Sequence, residues 1–394
     1  MNNSIWPSRF LALDVSRGFA AFAVVLWHWQ HFAYNGILFS KDFDKASQPL
    51  YGIFRMLYER GSIGVEYFFL LSGFIFFWIY RCSIEDRSTT FSNFWVRRIS
   101  RLYPLHFVTL LIVALLQMVY MANNGYPFVY PFNDMYHFFL NLVLASKWGF
   151  EKGWSFNGPV WVVSIEILLY CLFFMTAYAR QGRALFCLGV SVIVSVIYFV
   201  FPSFIHHAIF SGVSLFFLGG FVFHATFLVS TRLRKLTAAI YVITVLSWVL
   251  TIVNFYVHNL SDFVLEFGVF GNILLGGFRI YILFPFTVSS LALIEIEKGR
   301  GFLKSISWVG DITYSLYLLH FPLQLVFGLA VGYGVLNSDF YLHPAYLVVY
   351  FSILIPLSYI TFIGFERPMQ SIIRNKYTRR IKTEQGATLR CTQR

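Results

Sequence analysis

The sequence has 394 residues, of which 58% are hydrophobic and 21% aromatic, while only 12% are charged. Soluble proteins carry about 25% charged residues, so this composition excludes an ordinary soluble protein and indicates an integral membrane protein. The formal net charge of +12 would suit a nucleic-acid partner, but the distribution of the basic residues, described below, argues against one. Four scattered cysteines predict neither a disulfide framework nor a metal site.

Ten stretches are apolar enough to cross the hydrocarbon core, which needs roughly 20 such residues. They cover 10–34, 61–80, 102–122, 158–178, 184–202, 207–229, 236–257, 270–294, 311–332 and 343–364. The predicted fold is therefore all-α, a polytopic bundle of about ten transmembrane helices within one domain, residues 1–366. The stretch 136–146 is too short to cross and is expected to be interfacial or re-entrant. Residues 367–394 are predicted to form a basic, disordered cytoplasmic tail.

Lysine and arginine are unequally distributed between the two sides of the predicted bundle. Ten spans place both termini on one side, which holds twenty-two of these residues in its loops and tail, against six on the other side. Because cytoplasmic loops are enriched in Lys and Arg, both termini are predicted to be cytoplasmic. Membrane topology thus explains most of the positive charge, and no nucleic-acid partner is expected.

The first span contains an arginine and a histidine, Arg17 and His28, separated by eleven positions. Eleven residues at ~100° each make about three turns, so both side chains share one helix face, roughly 16 Å apart along the axis. Asp14 and His31 lie near the same stripe. Ionisable groups at such depth usually face a bundle interior or a water-filled cavity. The simpler alternative is that Asp14 pairs with Arg17 at the membrane edge and His28 bonds a neighbouring helix.

The second and third spans offer two further polar motifs. Ser72 precedes Gly73, and this pair either serves the site or allows close helix packing. Arg97, Arg98 and Arg101 lie at the cytoplasmic start of the third span. Arg98 and Arg101 are one turn apart and could bind phosphate, although topology alone also accounts for arginines here.

Later spans carry buried polar groups as well. Trp161 begins the fourth span and Glu166 follows within it, where a carboxylate suggests a functional role or a buried pair. Tyr317 and His320 lie within the ninth span. The outer loop 147–158 combines aromatic residues with Gly and Asn, which suits stacking on a sugar ring, but an interfacial aromatic belt explains it equally well.

Together these stretches resemble the acyltransferase 3 family of integral membrane acyltransferases. The matching motifs are the Arg and His of the first span, the GV-x-x-FF-x-LSGF pattern from Gly64 to Phe74, the R-x-x-R of Arg98 and Arg101, the W-x-x-S-x-E-x-x-x-Y element from Trp161 to Tyr170, and the YS-x-YL-x-H-x-P element from Tyr314 to Pro322. The similarity covers nearly the whole chain, in order, with ten spans as in the family.

The resemblance implies a function. Members transfer acyl groups, usually acetyl from cytoplasmic acetyl-CoA, to hydroxyls of cell-surface or lipid-linked glycans, and acyl-CoA is a co-substrate rather than a tightly bound cofactor. Many members carry an extracytoplasmic hydrolase-like domain; this chain shows none and resembles the stand-alone type. The expected location is a bacterial inner membrane. The oligomeric state stays open, with a homo-oligomer among the options.

Within that chemistry, His28 is expected to act as general base for the acceptor hydroxyl or as a transient acyl carrier. Arg17 would orient the donor or stabilise negative charge, and Asp14 would hold Arg17. Glu166 would fix a histidine or an acceptor hydroxyl. The remaining candidates are Arg97, Arg98 and Arg101 as a clamp for the phosphates of acyl-CoA, and His320, Ser72, Trp161 and Tyr317 as acceptor-binding or relay groups.

One other class of protein fits the same residues. A proton-coupled transporter or glycan flippase would use Glu166, His28 and His320 as a proton relay. Transporters built from inverted repeats often show matched helices broken by Gly or Pro in their two halves, and the sequence shows no such pairing.

Overall fold

In the computed structural model, the described residues are 6–41, 43–201, 206–256, 264, 266–299 and 301–378. About four fifths of them are helical, and they form the expected all-α bundle. The α-helices are α1 Leu11–Trp27, α2 Tyr51–Arg60, α3 Gly64–Ile79, α4 Arg81–Glu85, α5 Phe91–Asn124, α6 Met135–Leu142, α7 Trp161–Tyr178, α8 Ala184–Val200, α9 His207–Thr231, α10 Thr237–Tyr256, α11 Val269–Phe278, α12 Phe284–Lys298, α13 Trp308–Asp311, α14 Thr313–Gly332 and α15 Pro344–Thr361.

Nine helical segments in this part of the chain are long and apolar enough to cross a membrane: Leu11–Ala33, Tyr51–Ile79, Phe91–Asn124, Gly158–Tyr178, His207–Thr231, Arg234–Tyr256, Phe270–Lys298, Thr313–Gly332 and Pro344–Thr378. The remaining predicted span corresponds to α8, which has 17 residues. At ~1.5 Å per residue α8 is about 25 Å long, the lower limit for a crossing. The polytopic bundle is confirmed, while the cytoplasmic position of both termini stays a prediction.

Short elements connect the spans on the side opposite the N-terminus. The α-helical part of the first span ends at Trp27 and continues as the 3₁₀ helix His28–Ala33. A two-stranded antiparallel hairpin follows, β1 Tyr34–Asn35 and β2 Leu38–Phe39. The change from α-helix to 3₁₀ helix thus occurs at His28, the histidine that the sequence singles out.

Helix α6 confirms that the stretch 136–146 is too short to cross, because it has eight residues. The Asp134 carboxylate caps it by accepting a hydrogen bond of 2.9 Å from the backbone N–H of His137. The same bond holds the pKa of Asp134 below its ordinary value.

The last helix differs from the prediction. A π-helical turn, Phe362–Glu366, follows α15, and the helix then continues to Thr378. The predicted disordered tail from residue 367 is therefore wrong for residues 367–378, because contacts with α5 hold them as helix: the Arg374 guanidinium donates to the Ser100 hydroxyl at 3.2 Å. The rest of the predicted tail, residues 379–394, lies outside the described residues.

Burial separates the central helices from those facing lipid. In the apolar stretch of α9 72% of the residues are buried, against 11% in the Arg234–Tyr256 segment. Helices α3 and α9 pack most tightly where two glycines meet the opposite backbone. A Cβ atom on Gly73 would lie 1.8 Å from the carbonyl oxygen of Phe216, and one on Gly219 would lie 2.0 Å from that of Leu70. Close helix packing thus accounts for Gly73.

We expect Gly73→Ala to lower the stability of the purified protein by about 1–3 kcal/mol, because the added methyl group would force two backbones apart. The matched control is Gly189→Ala in α8, where the new Cβ would meet nothing within 4 Å. Thermal unfolding in detergent measures both variants. Equal melting temperatures for the two variants would contradict the close approach of α3 and α9.

Candidate active site

A cavity of about 410 Å³ opens on the side of the bundle where α1 begins. Most of its polar lining is cationic. The charged lining residues are Arg9, Arg17, Arg98, Arg101, Arg367, Arg374, Asp14, Asp311 and Glu366. Six arginines against three carboxylates make this a site for an anion, and the side predicted to be cytoplasmic is the side on which it opens.

The first turns of α1 place Arg17 in this cavity. Its guanidinium lies 3.1 Å from the Asp14 carboxylate and donates to the carbonyl oxygen of Gly310 at 3.0 Å. Asp14 also accepts a short hydrogen bond from Arg9. Asp14 therefore holds Arg17, as the sequence predicts. The Nε atom of Arg17 is buried without a hydrogen-bond partner among the described residues.

The three arginines near the start of α5 lie in different environments. Arg98 and Arg101 line the cavity, and Arg98 donates to the hydroxyl of Tyr80 at 2.6 Å. Arg97 points the other way and is exposed, because it lies about 100° around the helix from Arg98. Arg97 therefore lies outside the cavity, although the sequence predicts it beside Arg98 and Arg101. Arg374 lines the cavity instead, although it was predicted to lie in a disordered tail.

A second cavity of about 110 Å³ continues inward from the first. Arg17, Arg98 and Arg101 line both cavities, so the two adjoin at these side chains. Glu166 and Tyr317 lie at the inner one. An elongated ligand with an anionic end in the outer cavity can thus extend its other end toward the middle of the bundle.

Glu166 has other partners than those predicted. It accepts hydrogen bonds from the hydroxyl of Ser72 at 3.3 Å and from that of Tyr170 at 3.2 Å, and its charge interacts with Arg101. No hydrogen bond joins Glu166 to a histidine among the described residues, because its helix face turns toward α3 and α5. The other predicted role of Glu166, fixing an acceptor hydroxyl, stays a prediction. Ser72 accordingly belongs to the inner cavity. Trp161 lies apart from both cavities and packs edge-on against Phe69, with ring centroids 6.1 Å apart.

Three histidines meet where α1 and α14 come together. His28 Nδ1 lies 3.1 Å from His320 Nε2, and His320 Nδ1 lies 2.6 Å from the backbone carbonyl oxygen of Tyr317. The rings of His28 and His31 have centroids 4.7 Å apart. The His28 residue is 6% exposed and His320 is fully buried. His28 therefore faces the protein interior and not lipid, and it is bonded to a neighbouring helix, as the simpler alternative expects.

The two cavities do not extend to these histidines. Arg17 lines both cavities, whereas His28 lines neither of them. Tyr317 connects the two regions: its side chain lines the inner cavity, its hydroxyl donates to the carbonyl of Pro159 at 2.8 Å, and its own carbonyl holds His320. A ligand in the inner cavity is thus one aromatic side chain away from the histidine cluster.

On the opposite side, aromatic residues lead from the surface to the histidines. Trp154 is 43% exposed, and its ring centroid lies 6.2 Å from that of Tyr130. The Tyr130 hydroxyl lies 3.4 Å from Nε2 of His31. Trp154 belongs to the loop in which the sequence suggests either sugar stacking or an aromatic belt. Its contact with Tyr130 connects that loop to the histidine cluster.

Sequence reasoning missed one member of this cluster. Gln324 donates from Nε2 to the carbonyl of His28 at 2.9 Å, and its Oε1 lies 2.9 Å from His31 Nδ1. Gln324 follows His320 by four residues, which puts both on one face of α14. A glutamine one turn after a histidine within an apolar span was the signal available in the sequence. The structure shows both side chains fully buried.

Comparisons with known proteins identify the family of the chain. The acyltransferase domain that defines the acyltransferase 3 family matches residues 10–363. A segment of 115 residues is 35% identical to the acyltransferase MdmB of Streptomyces mycarofaciens, and this segment spans 29% of the chain and 27% of that relative. No solved structure matches the chain. The match to the family covers α1, the arginines of α5 and the histidine of α14, and on this evidence the chain belongs to the acyltransferase 3 family.

Proposed function

We propose that the enzyme transfers an acyl group, most simply acetyl, from cytoplasmic acyl-CoA to a hydroxyl of a cell-surface or lipid-linked glycan. The single observation that carries this proposal is the arginine-lined cavity that continues inward to Tyr317, next to the His28–His320 pair. Acyl-CoA has the matching shape, with phosphates at one end and a thioester at the end of a long arm. It is a co-substrate and not a resident cofactor.

The charged end of the donor would bind the arginines of the outer cavity. Guanidinium groups bind phosphate oxygens in pairs of charge-assisted hydrogen bonds, and they stay charged at any physiological pH. Arg98 and Arg101 come from α5 and Arg374 from the end of the last helix, so they approach the phosphates from different directions. Asp14 and Glu366 keep the arginines in place before the donor arrives.

The distance between Arg17 and His28 decides between two roles for Arg17. Eleven residues separate the two by roughly 16 Å along the helix. A guanidinium so far from the base cannot also stabilise the oxyanion formed beside it, since that interaction needs contact at about 3 Å. Arg17 therefore orients the donor, from its position in the lining of both cavities.

His28 would act where the thioester and the hydroxyl meet. It takes the proton of the acceptor hydroxyl while the oxygen attacks the thioester carbonyl carbon; the tetrahedral intermediate then collapses, the C–S bond breaks, and the proton passes to the departing CoA thiolate. In the second form of the mechanism the imidazole itself takes the acyl group and passes it to the acceptor.

The acceptor would approach from the side opposite the donor. Trp154 is 43% exposed, with the Lys147 ammonium 4.0 Å from its ring centroid, and its remaining surface would contact a sugar. Tyr130 lies between Trp154 and His31. This arrangement supports an acceptor on the outer side of a multi-pass protein of a bacterial inner membrane. It also lets donor and acceptor bind from separate compartments and meet at the histidines.

We expect His28→Ala to lower the rate of acyl transfer by about 10²–10⁴, because the acceptor hydroxyl loses its base. Release of free CoA from acyl-CoA in proteoliposomes that contain a glycan acceptor measures the effect. His343→Ala, which changes an exposed histidine outside the cluster, is the control and should retain full activity. Wild-type CoA release by His28→Ala would remove the central role of His28.

Arg101→Gln should raise the KM for acyl-CoA by about tenfold or more, because a hydrogen bond between charged groups contributes about 1.5–3 kcal/mol. The matched control is Arg97→Gln, which removes an exposed arginine from the same helix outside the cavity. Initial rates at varied acyl-CoA concentration separate KM from kcat. An equal rise in KM for both variants would show that the net charge of this side, and not the cavity, attracts the donor.

A further inference from the structure

We propose that His320 is a positioning residue that fixes the tautomer of His28, so that Nε2 of His28 is the nitrogen that takes the proton from the acceptor. The catalytic consequence rests on the proposed function, whereas the tautomer itself follows from the hydrogen bonds alone. Both can therefore be tested separately.

The backbone sets the protonation of His320 first. Its Nδ1 lies 2.6 Å from the carbonyl oxygen of Tyr317, and a carbonyl oxygen can only accept. Nδ1 of His320 must therefore carry a proton. A ring with a second proton on Nε2 would bury a full charge in a fully buried residue, which is costly. The neutral ring has one N–H, so Nε2 of His320 is an acceptor.

His28 is the donor to that acceptor. Its Nδ1 lies 3.1 Å from Nε2 of His320, and the two ring planes are inclined by 26°. Nδ1 of His28 thus carries the proton, and Nε2 keeps its lone pair. Free imidazole side chains favour the opposite arrangement, with the proton on Nε2. In that form the outward nitrogen of His28 would have no lone pair and could not act as a base.

Two further bonds keep the rings in this geometry. Gln324 Nε2 donates to the carbonyl of His28 at 2.9 Å, and the Tyr350 hydroxyl donates to the carbonyl of His320 at 2.7 Å. The group that sets the tautomer, Tyr317, precedes His320 by three residues, and Gln324 follows by four. All three lie on one face of α14, so a single helix fixes both the position and the protonation of His28.

The tautomer is read directly by nuclear magnetic resonance. The full chain, with its histidine rings labelled with ¹⁵N, is placed in lipid nanodiscs without substrate, and His28→Asn identifies the signals of His28. The expected wild-type spectrum shows a protonated Nδ1 and an unprotonated Nε2 for His28. In His320→Leu, which removes the acceptor, the proton should move partly or fully to Nε2. A wild-type His28 with its proton on Nε2 would overturn the proposal.

Kinetics tests the catalytic consequence. His320→Leu should lower kcat by about 10²–10⁴, the range for loss of a correctly protonated base, with an unchanged KM for acyl-CoA. His320→Gln keeps an amide oxygen that can accept from His28 and should recover part of kcat. His106→Gln changes a buried histidine bonded to Asn141 at 2.8 Å, outside the cluster, and should keep wild-type kcat.

The outcomes separate this inference from the proposed function. Equal loss of kcat in His320→Leu and His320→Gln would mean that His320 only fills space, and would overturn its positioning role. The expected spectrum together with full activity in His28→Ala would instead disprove the role of His28 while leaving the tautomer established. The opposite spectrum with an inactive His28→Ala would disprove this inference alone.

Discussion

An ionisable side chain inside the hydrocarbon core is costly unless another protein group meets it, and this constraint organises the centre of the bundle. Arg279 pairs with Glu66 at 2.7 Å between two helices far apart in the sequence. His28 meets His320 at 3.1 Å in the same manner. Arg17 is satisfied only in part, because its buried Nε has no hydrogen-bond partner among the described residues. Contacts between these ionisable side chains thus also determine which helices lie next to each other.

The proposed reactive region lies where α1 meets α14 and depends on side-chain hydrogen bonds. The closest approach of two backbones lies elsewhere, between α3 and α9, where Gly73 and Gly219 remove the side chains that would separate them. This division has a physical sense. A tightly packed pair of helices holds the bundle, while polar side chains set the geometry of the reacting groups on a neighbouring surface.

Helix α1 connects two chemically different sides of the protein. Its beginning contributes Arg17 to a cavity rich in arginine, and its end presents His28 near an aromatic route to the other surface. The proposed anionic donor and the proposed sugar acceptor favour different environments, so separate entrances suit them. The low dielectric between the entrances strengthens each electrostatic contact that the substrates make there.

The local residue pattern was sufficient to predict the membrane spans and the shared face of Arg17 and His28, because hydropathy and helical period depend only on neighbouring residues. The sequence by itself determined that Arg17 and His28 share a face and that Arg98 and Arg101 lie one turn apart. Only the tertiary structure decided that Arg97 is exposed, that Glu166 binds Ser72 and Tyr170, and that the chain remains helical to Thr378. It also brought His28 and His320, 292 residues apart, into contact. Such partners depend on how each helix is rotated against the others, and that rotation is set by packing across the whole bundle.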